Sequence, residues 1–306
     1  MVLDIFINII LPIFILIGVG VGVDRLMKVD LPTLTKLLFY LFLPAIIFVN
    51  LVESELTPHN FTAVVGFSAV HFVLLLGLSL LVFNIPGLRQ QRSLLLMGAL
   101  FTNSGNYGLP LAQMAFGKSG VTAMALIQVT QSIAIFTLGL WLVDRHHRNW
   151  KDMLRGFLSV PLIYAIGGAL LINSAGIQIP EVLWSPVRYL GGALVPVALM
   201  TLGVQLSRSR ISVKFLLPIT AASVMRLLIS PLLAVGLAAA WTLIWPGGLD
   251  GVYGVLIIAM ALPMAVNVSI LSIEYNREPE MVSQMVFLST VLSALTMTVW
   301  LFFFGN

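Results

Sequence analysis

The chain contains no cysteine, which excludes disulfides, thiolate metal ligands and cysteine nucleophiles. Charge is also scarce: 9% of the 306 residues are Asp, Glu, Lys or Arg, against 59% hydrophobic. A soluble domain carries about 25% charged residues. A surface drawn from this composition cannot face water on every side, so the expected solvent is lipid. The sequence also lacks an HExxH pair, a P-loop and a nucleotide fingerprint. A membrane enzyme therefore has no constellation to stand on, ATP-driven transport has no motor, and no cofactor is implied. The net charge of +4 does not point to nucleic acid, because the basic residues sit in short separators between apolar runs. The first apolar run carries Asp4 and is preceded by no Lys or Arg, unlike a secretory signal, and reads as a retained first helix.

What is present is a succession of ten apolar stretches, at about 3–23, 33–52, 60–83, 93–116, 120–143, 154–173, 183–206, 213–244, 251–274 and 281–304. Each is long enough for a membrane helix, so the expected class is an all-α, multi-pass membrane protein. With ten spans, thirteen Lys and Arg fall on one side, from Arg25 to Arg277, while Lys118 and Arg188 alone fall on the other. Cytoplasmic loops carry the excess of basic residues, so both termini are expected away from the cytoplasm.

The halves resemble each other. Pro12 precedes Gly18 by six residues, as Pro161 precedes Gly167. LPAIIF around Pro44 matches VPVALM around Pro196, and GLPLA at Pro110 matches ALPMA at Pro263. The offsets are 149, 152 and 153 residues. Five helices per half make the second half enter from the opposite side, which is an inverted repeat.

Interrupted helices at matching positions of two such halves are the best sequence pointer to a binding site. The fourth stretch contains FTNSGNYGLPLAQ, with Asn103, Ser104, Asn106, Tyr107, Gly108 and Pro110; the ninth contains ALPMAVNVSILS, with Pro263, Asn267 and Ser269. Neither segment contains a carboxylate. That argues against an antiporter built on buried aspartates and suits a polar but neutral substrate cradle, or one that meets an anion with helix dipoles. Arg226, the charge placed well inside a span, is a candidate anion-attracting residue or an anchor. His71 reads as a packed histidine. Gln113, Gln128, Gln131 and Gln284 read as interhelical bonds or substrate contacts. The charged stretch Asp144–Asp152 (DRHHRNWKD) reads as a surface loop, its two histidines lacking further metal ligands.

TNSGNYGLPLA, ALPMAVNVSILSIEYN and LPAIIF together resemble the auxin efflux carrier family, over essentially the whole chain. That resemblance implies proline-broken fourth and ninth helices that cross, with Pro110 and Pro263 as crossover prolines and Asn103 as the substrate-binding asparagine. It implies scaffold helices over 1–58 and 151–210 and a mobile transport unit over 59–150 and 211–306. It further implies a homodimer and elevator-type alternating access. The short middle loop resembles a bacterial permease rather than the large plant members, so the expectation is a carboxylate carrier of the bacterial inner membrane. Two alternatives stay open: a sodium-coupled organic-anion symporter of the bile-acid type, and a receptor that binds without transporting.

Overall fold

The computed structural model describes residues 2–53, 58–143, 161–209 and 215–305. Among them the chain is helical, and the one β-type pairing is an isolated bridge. The helices are α1 (Val2–Met27), α2 (Leu31–Val52), α3 (Pro58–Val82), α4 (Arg92–Leu100) and α5 (Ser104–Gly139). They continue with α6 (Pro161–Ala175), α7 (Glu181–Gly192), α8 (Leu194–Ser207), α9 (Leu216–Ile244), α10 (Tyr253–Ala261), α11 (Val266–Glu274) and α12 (Pro279–Phe304). Among the described residues seven helical segments are long and apolar enough to cross a membrane: α1, α2, Phe61–Val82 of α3, α5, α7 with α8, α9 and α12. The Asp144–Asp152 loop, with Arg145, Arg148 and Lys151, lies outside the described residues, as do Arg155, Arg210 and Lys214.

Large side chains point outward without polar relief. Val73, Leu171, Leu295 and Phe303 are each at least 65% exposed on helix faces that no described element covers. Such faces are stable in lipid and costly in water. The interior, by contrast, carries many serines and threonines whose hydroxyls bond back to helical carbonyls, as Ser68 does to Val64 and Thr290 to Val286. Charges pair near helix ends, Asp24 with Arg208 at 2.6 Å and Glu53 with Lys118 at 2.6 Å.

Helix contacts rest on small residues. A Cβ added to Gly203 of α8 would stand 2.0 Å from the Ile17 carbonyl oxygen of α1, and one added to Gly20 would stand 2.1 Å from that of Met200. Close backbone approach of this kind is how membrane helices gain van der Waals contact where no hydrophobic force drives them together. α6 and α7 pack on the second half of α2, with Gly191 against Ile46 and Trp184 against Phe48. α10 packs between α9 and α12, and α3 lies against α5.

Proline shapes the helices locally. Of the five π turns among the described residues, four end two residues before a proline: Phe6–Ile10 before Pro12, Leu38–Phe42 before Pro44, Ser104–Gly108 before Pro110 and Met225–Ile229 before Pro231. The proline ring has no N–H and crowds the preceding turn; widening that turn relieves the clash without ending the helix. Gly117, at φ +63°, divides α5 into two arms.

Candidate functional site

Two helical runs are interrupted in mid-course. The α4–α5 run opens over Phe101–Asn103, and the α10–α11 run opens over Leu262–Ala265. In the first, Thr102, Asn103 and Ser104 are residues whose side chains compete with the helix for backbone hydrogen bonds, and Gly105 adds flexibility. In the second, Pro263 forces its predecessor out of the helical region, and Leu262 sits at φ −58°, ψ 149°. The two openings pair with each other. Thr102 and Met264 form an antiparallel bridge; the Asn103 N–H donates to the Pro263 carbonyl and the Ala265 N–H to the Phe101 carbonyl, both at 2.9 Å. The Met264 N–H donates to Ser289 Oγ at 3.2 Å, and the Thr102 N–H to Gln131 Oε1 at 3.4 Å. Exposed backbone in a membrane interior is tolerated only where it is satisfied or lines a cavity, and here it does both.

The crossing has two chemically different sides. On one, α5 and α11 begin. The N–H groups of Ser104, Gly105, Val266 and Asn267 donate to no acceptor among the described residues, as expected of leading helical residues. Each such terminus carries about half a positive charge. Facing them is a small cavity lined by Phe39, Thr102, Asn103, Asn106, Gln128, Gln131 and Asn267, with about 20 Å³ of room for water centres, enough for one ordered water. Asn103 is 5% exposed and its Nδ2 has no hydrogen-bond partner among the described residues, although the residue lines this space. Among the described residues no charged side chain lines the cavity. It adjoins a larger vestibule of about 350 Å³ that shares Phe39, Gln128, Ser132, Ile135 and Asn267 and reaches Lys36 and Glu274 at its rim. The vestibule is of the size that holds a small organic ligand.

On the other side α4 and α10 end, and Arg226 lies there with 0% exposure. Its Nη1 donates to the carbonyls of Ala99 at 3.0 Å and Leu100 at 3.5 Å, and its Nη2 to Ser230 Oγ at 2.7 Å and to the Met260 carbonyl. Arg226 lines neither the cavity nor the vestibule. Its guanidinium is held inside the bundle by these oxygens. His71 is packed, as its surroundings suggested, with Nε2 at 2.9 Å from the Ser230 carbonyl.

The other expected site residues divide. Asn103, Asn106 and Asn267 line the cavity together, and Ser104 Oγ donates to Gln128 Oε1 beside it. Tyr107 is wholly buried away from it, its hydroxyl accepting from Ser293 Oγ at 3.3 Å. Ser269 lies across α11, 2.9 Å from Ser283 Oγ. Gly108 is closely packed: a Cβ there would stand 2.7 Å from Leu262 Cδ1, so that side chain would have to shift. Pro263 sits in its opening, whereas Pro110 lies past the other opening, two residues after the π turn. Phe39 and Ser132 had no part in the expected site. Gln128, Gln131, Ser132 and Ile135 recur at helical spacing on one face of α5, which was the available signal.

A multi-pass helical bundle with paired interrupted helices and a polar cavity at their meeting point belongs to the class of membrane transport proteins, in which sites form at discontinuous helices. The chain belongs to the membrane transport protein family, the family of the auxin efflux carriers, whose model matches residues 5–301. It is 25% identical over 273 residues to an uncharacterized transporter of Methanothermobacter thermautotrophicus, covering 89% of this chain and 88% of that one. It is also 26% identical over 316 residues to a Rhizobium meliloti protein named "Putative malonate transporter", covering 95% and 93%. Family membership makes the protein a transporter and not an enzyme.

Proposed function

We propose that the protein is a secondary carrier of small organic carboxylates, malonate and malate foremost, which binds the anion where α5 and α11 begin. The observation that carries this reading is the unpartnered Asn103 amide, nine-tenths buried, in a charge-free cavity faced by two helix N-termini. Helix N-termini favour anions, and amide donors add hydrogen bonds without a fixed counter-charge to trap the ligand. The name of the Rhizobium meliloti relative agrees with a dicarboxylate. In the reading proposed here, ten membrane segments form two inverted halves, with the α4–α5 and α10–α11 interruptions at equivalent places. The proline offsets near 150 residues support the repeat. The packing of α1 on α8 and of α6 and α7 on α2 supports a scaffold unit of 1–58 and 151–210, beside a transport unit of 59–150 and 211–306. Movement of the second unit against the first, in a homodimer, would carry the site across the inner membrane. The vestibule opens beside Lys36, on the side richer in Lys and Arg, so the conformation is read as open to the cytoplasm.

Uptake of labelled malonate, malate and indole-3-acetate into proteoliposomes, with and without imposed proton and sodium gradients, tests the reading. Saturable flux of one dicarboxylate competed by the other is expected. No flux under any gradient, with ligand still stabilising the protein, would make it a receptor instead.

A further inference from the structure

Half-helix C-termini that meet inside a membrane bundle present a cluster of carbonyl oxygens, and carriers use such clusters to hold a coupling cation. This protein has the cluster. The carbonyls of Ala99 and Leu100 close α4, that of Met260 lies in the last turn of α10, and Ser230 Oγ stands among them, donating to Met260 at 2.8 Å. The oxygens come from three separate elements and converge on one point. That point is filled by the guanidinium of Arg226. No acidic side chain bonds Arg226 among the described residues; its partners are dipoles of helix ends and one hydroxyl. A guanidinium is always charged near neutral pH and carries donors and no acceptor, and here both Nη groups face the oxygens while Nε has no partner among the described residues. Two helix C-termini contribute about one negative charge in sum, which the single positive charge balances.

The geometry points to Arg226 as a tethered cation: it occupies covalently the carbonyl cage that a sodium or potassium ion would otherwise fill. The crossing therefore keeps its shape without a bound metal ion, and no sodium or potassium binding at this cage couples to substrate. The inference rests on the crossing geometry alone and does not require the carboxylate reading, so an assay without substrate separates the two. It also accounts for the asymmetry of the crossing: the cage side is permanently filled, which leaves the opposite, Asn103 side as the one that exchanges ligand.

The test is thermal melting of the purified protein in detergent, in sodium, potassium or choline chloride at equal ionic strength, for the wild type, Arg226→Lys and Arg226→Met. The wild type is expected to melt at the same temperature in all three salts. Arg226→Lys, which keeps a cation, should melt at least about 5 °C above Arg226→Met, which keeps length without charge. Low-millimolar methylguanidinium should raise the melting temperature of Arg226→Met saturably and leave the wild type unmoved. Saturable stabilisation of the wild type by sodium or potassium over choline would overturn the proposal. So would an Arg226→Met protein as stable as Arg226→Lys. The wild-type salt series decides the matter if neither variant can be purified.

Discussion

The two sides of the crossing are built from the same backbone device and end in opposite chemical states. Where α4 and α10 end, the carbonyls of Ala99, Leu100 and Met260 have a donor in Arg226, which lines neither cavity nor vestibule. Where α5 and α11 begin, leading N–H groups and Asn103 Nδ2 lack acceptors among the described residues, beside a cavity. An unsatisfied buried donor costs about 1–3 kcal/mol. Arg226 Nε on the other side is likewise unpaired among the described residues, but Arg226 lines neither cavity nor vestibule, whereas Asn103 lines the cavity; in the reading proposed above, a ligand removes the cost on the Asn103 side alone. Equal damage to the two sides should therefore be read out in different currents: stability on one, affinity on the other.

The largest effect is expected on the filled side. Arg226→Met leaves the carbonyls of Ala99 and Leu100 without their Arg226 donor and that of Met260 with Ser230 Oγ alone, and should destabilise the protein by about 3 kcal/mol or more, seen as a lower melting temperature and a smaller folded yield. Next comes Asn103→Ala, which should weaken malonate binding by about 10- to 100-fold, the worth of a hydrogen bond to a charged group. Its melting temperature without ligand should not fall, because the Nδ2 donor it removes has no partner among the described residues. A fall as large as that of Arg226→Met would erase the distinction between the sides. Gly108→Val should cost about 1–3 kcal/mol by driving a side chain into Leu262, measurable as lower thermal stability. Gln128→Leu removes the acceptor of Ser104 and the donor to Ser132, and should cost about 1 kcal/mol together with a several-fold loss of affinity. The smallest effect belongs to Lys36→Gln at the vestibule rim, which should slow anion entry by a few-fold at low salt and by little at 0.15 M.

The sequence made the membrane class and both interruptions legible, but not side-chain direction. Pro263 marks its opening because Leu262 cannot stay helical before it. Pro110 marks a widened turn instead, and the other opening lies earlier, at Phe101–Asn103, where Thr, Asn and Ser loosen the helix. Asn103, Asn106 and Asn267 were expected at the site and line one cavity. Arg226, Tyr107 and Ser269 were expected with them and face elsewhere. A soluble helix betrays its rotation by a polar face, whereas these helices are apolar on the lipid side and largely apolar within, so the pattern leaves rotation undetermined. Gln128, Gln131 and Ser132 form a polar stripe on α5 that does carry rotation, and it points to the cavity.

The central claim is that the side where α5 and α11 begin is an anion site organised by Asn103. The most direct test is malonate-dependent thermal stabilisation of wild type and Asn103→Ala in sodium-free buffer. A ligand that binds only the folded state raises stability with RT ln(1 + [L]/Kd), so the concentration dependence reports affinity without transport. The account predicts a saturable rise for the wild type, and for Asn103→Ala the same unliganded melting temperature with the curve displaced to about 10- to 100-fold higher malonate. Superimposable malonate curves for the two proteins would contradict it.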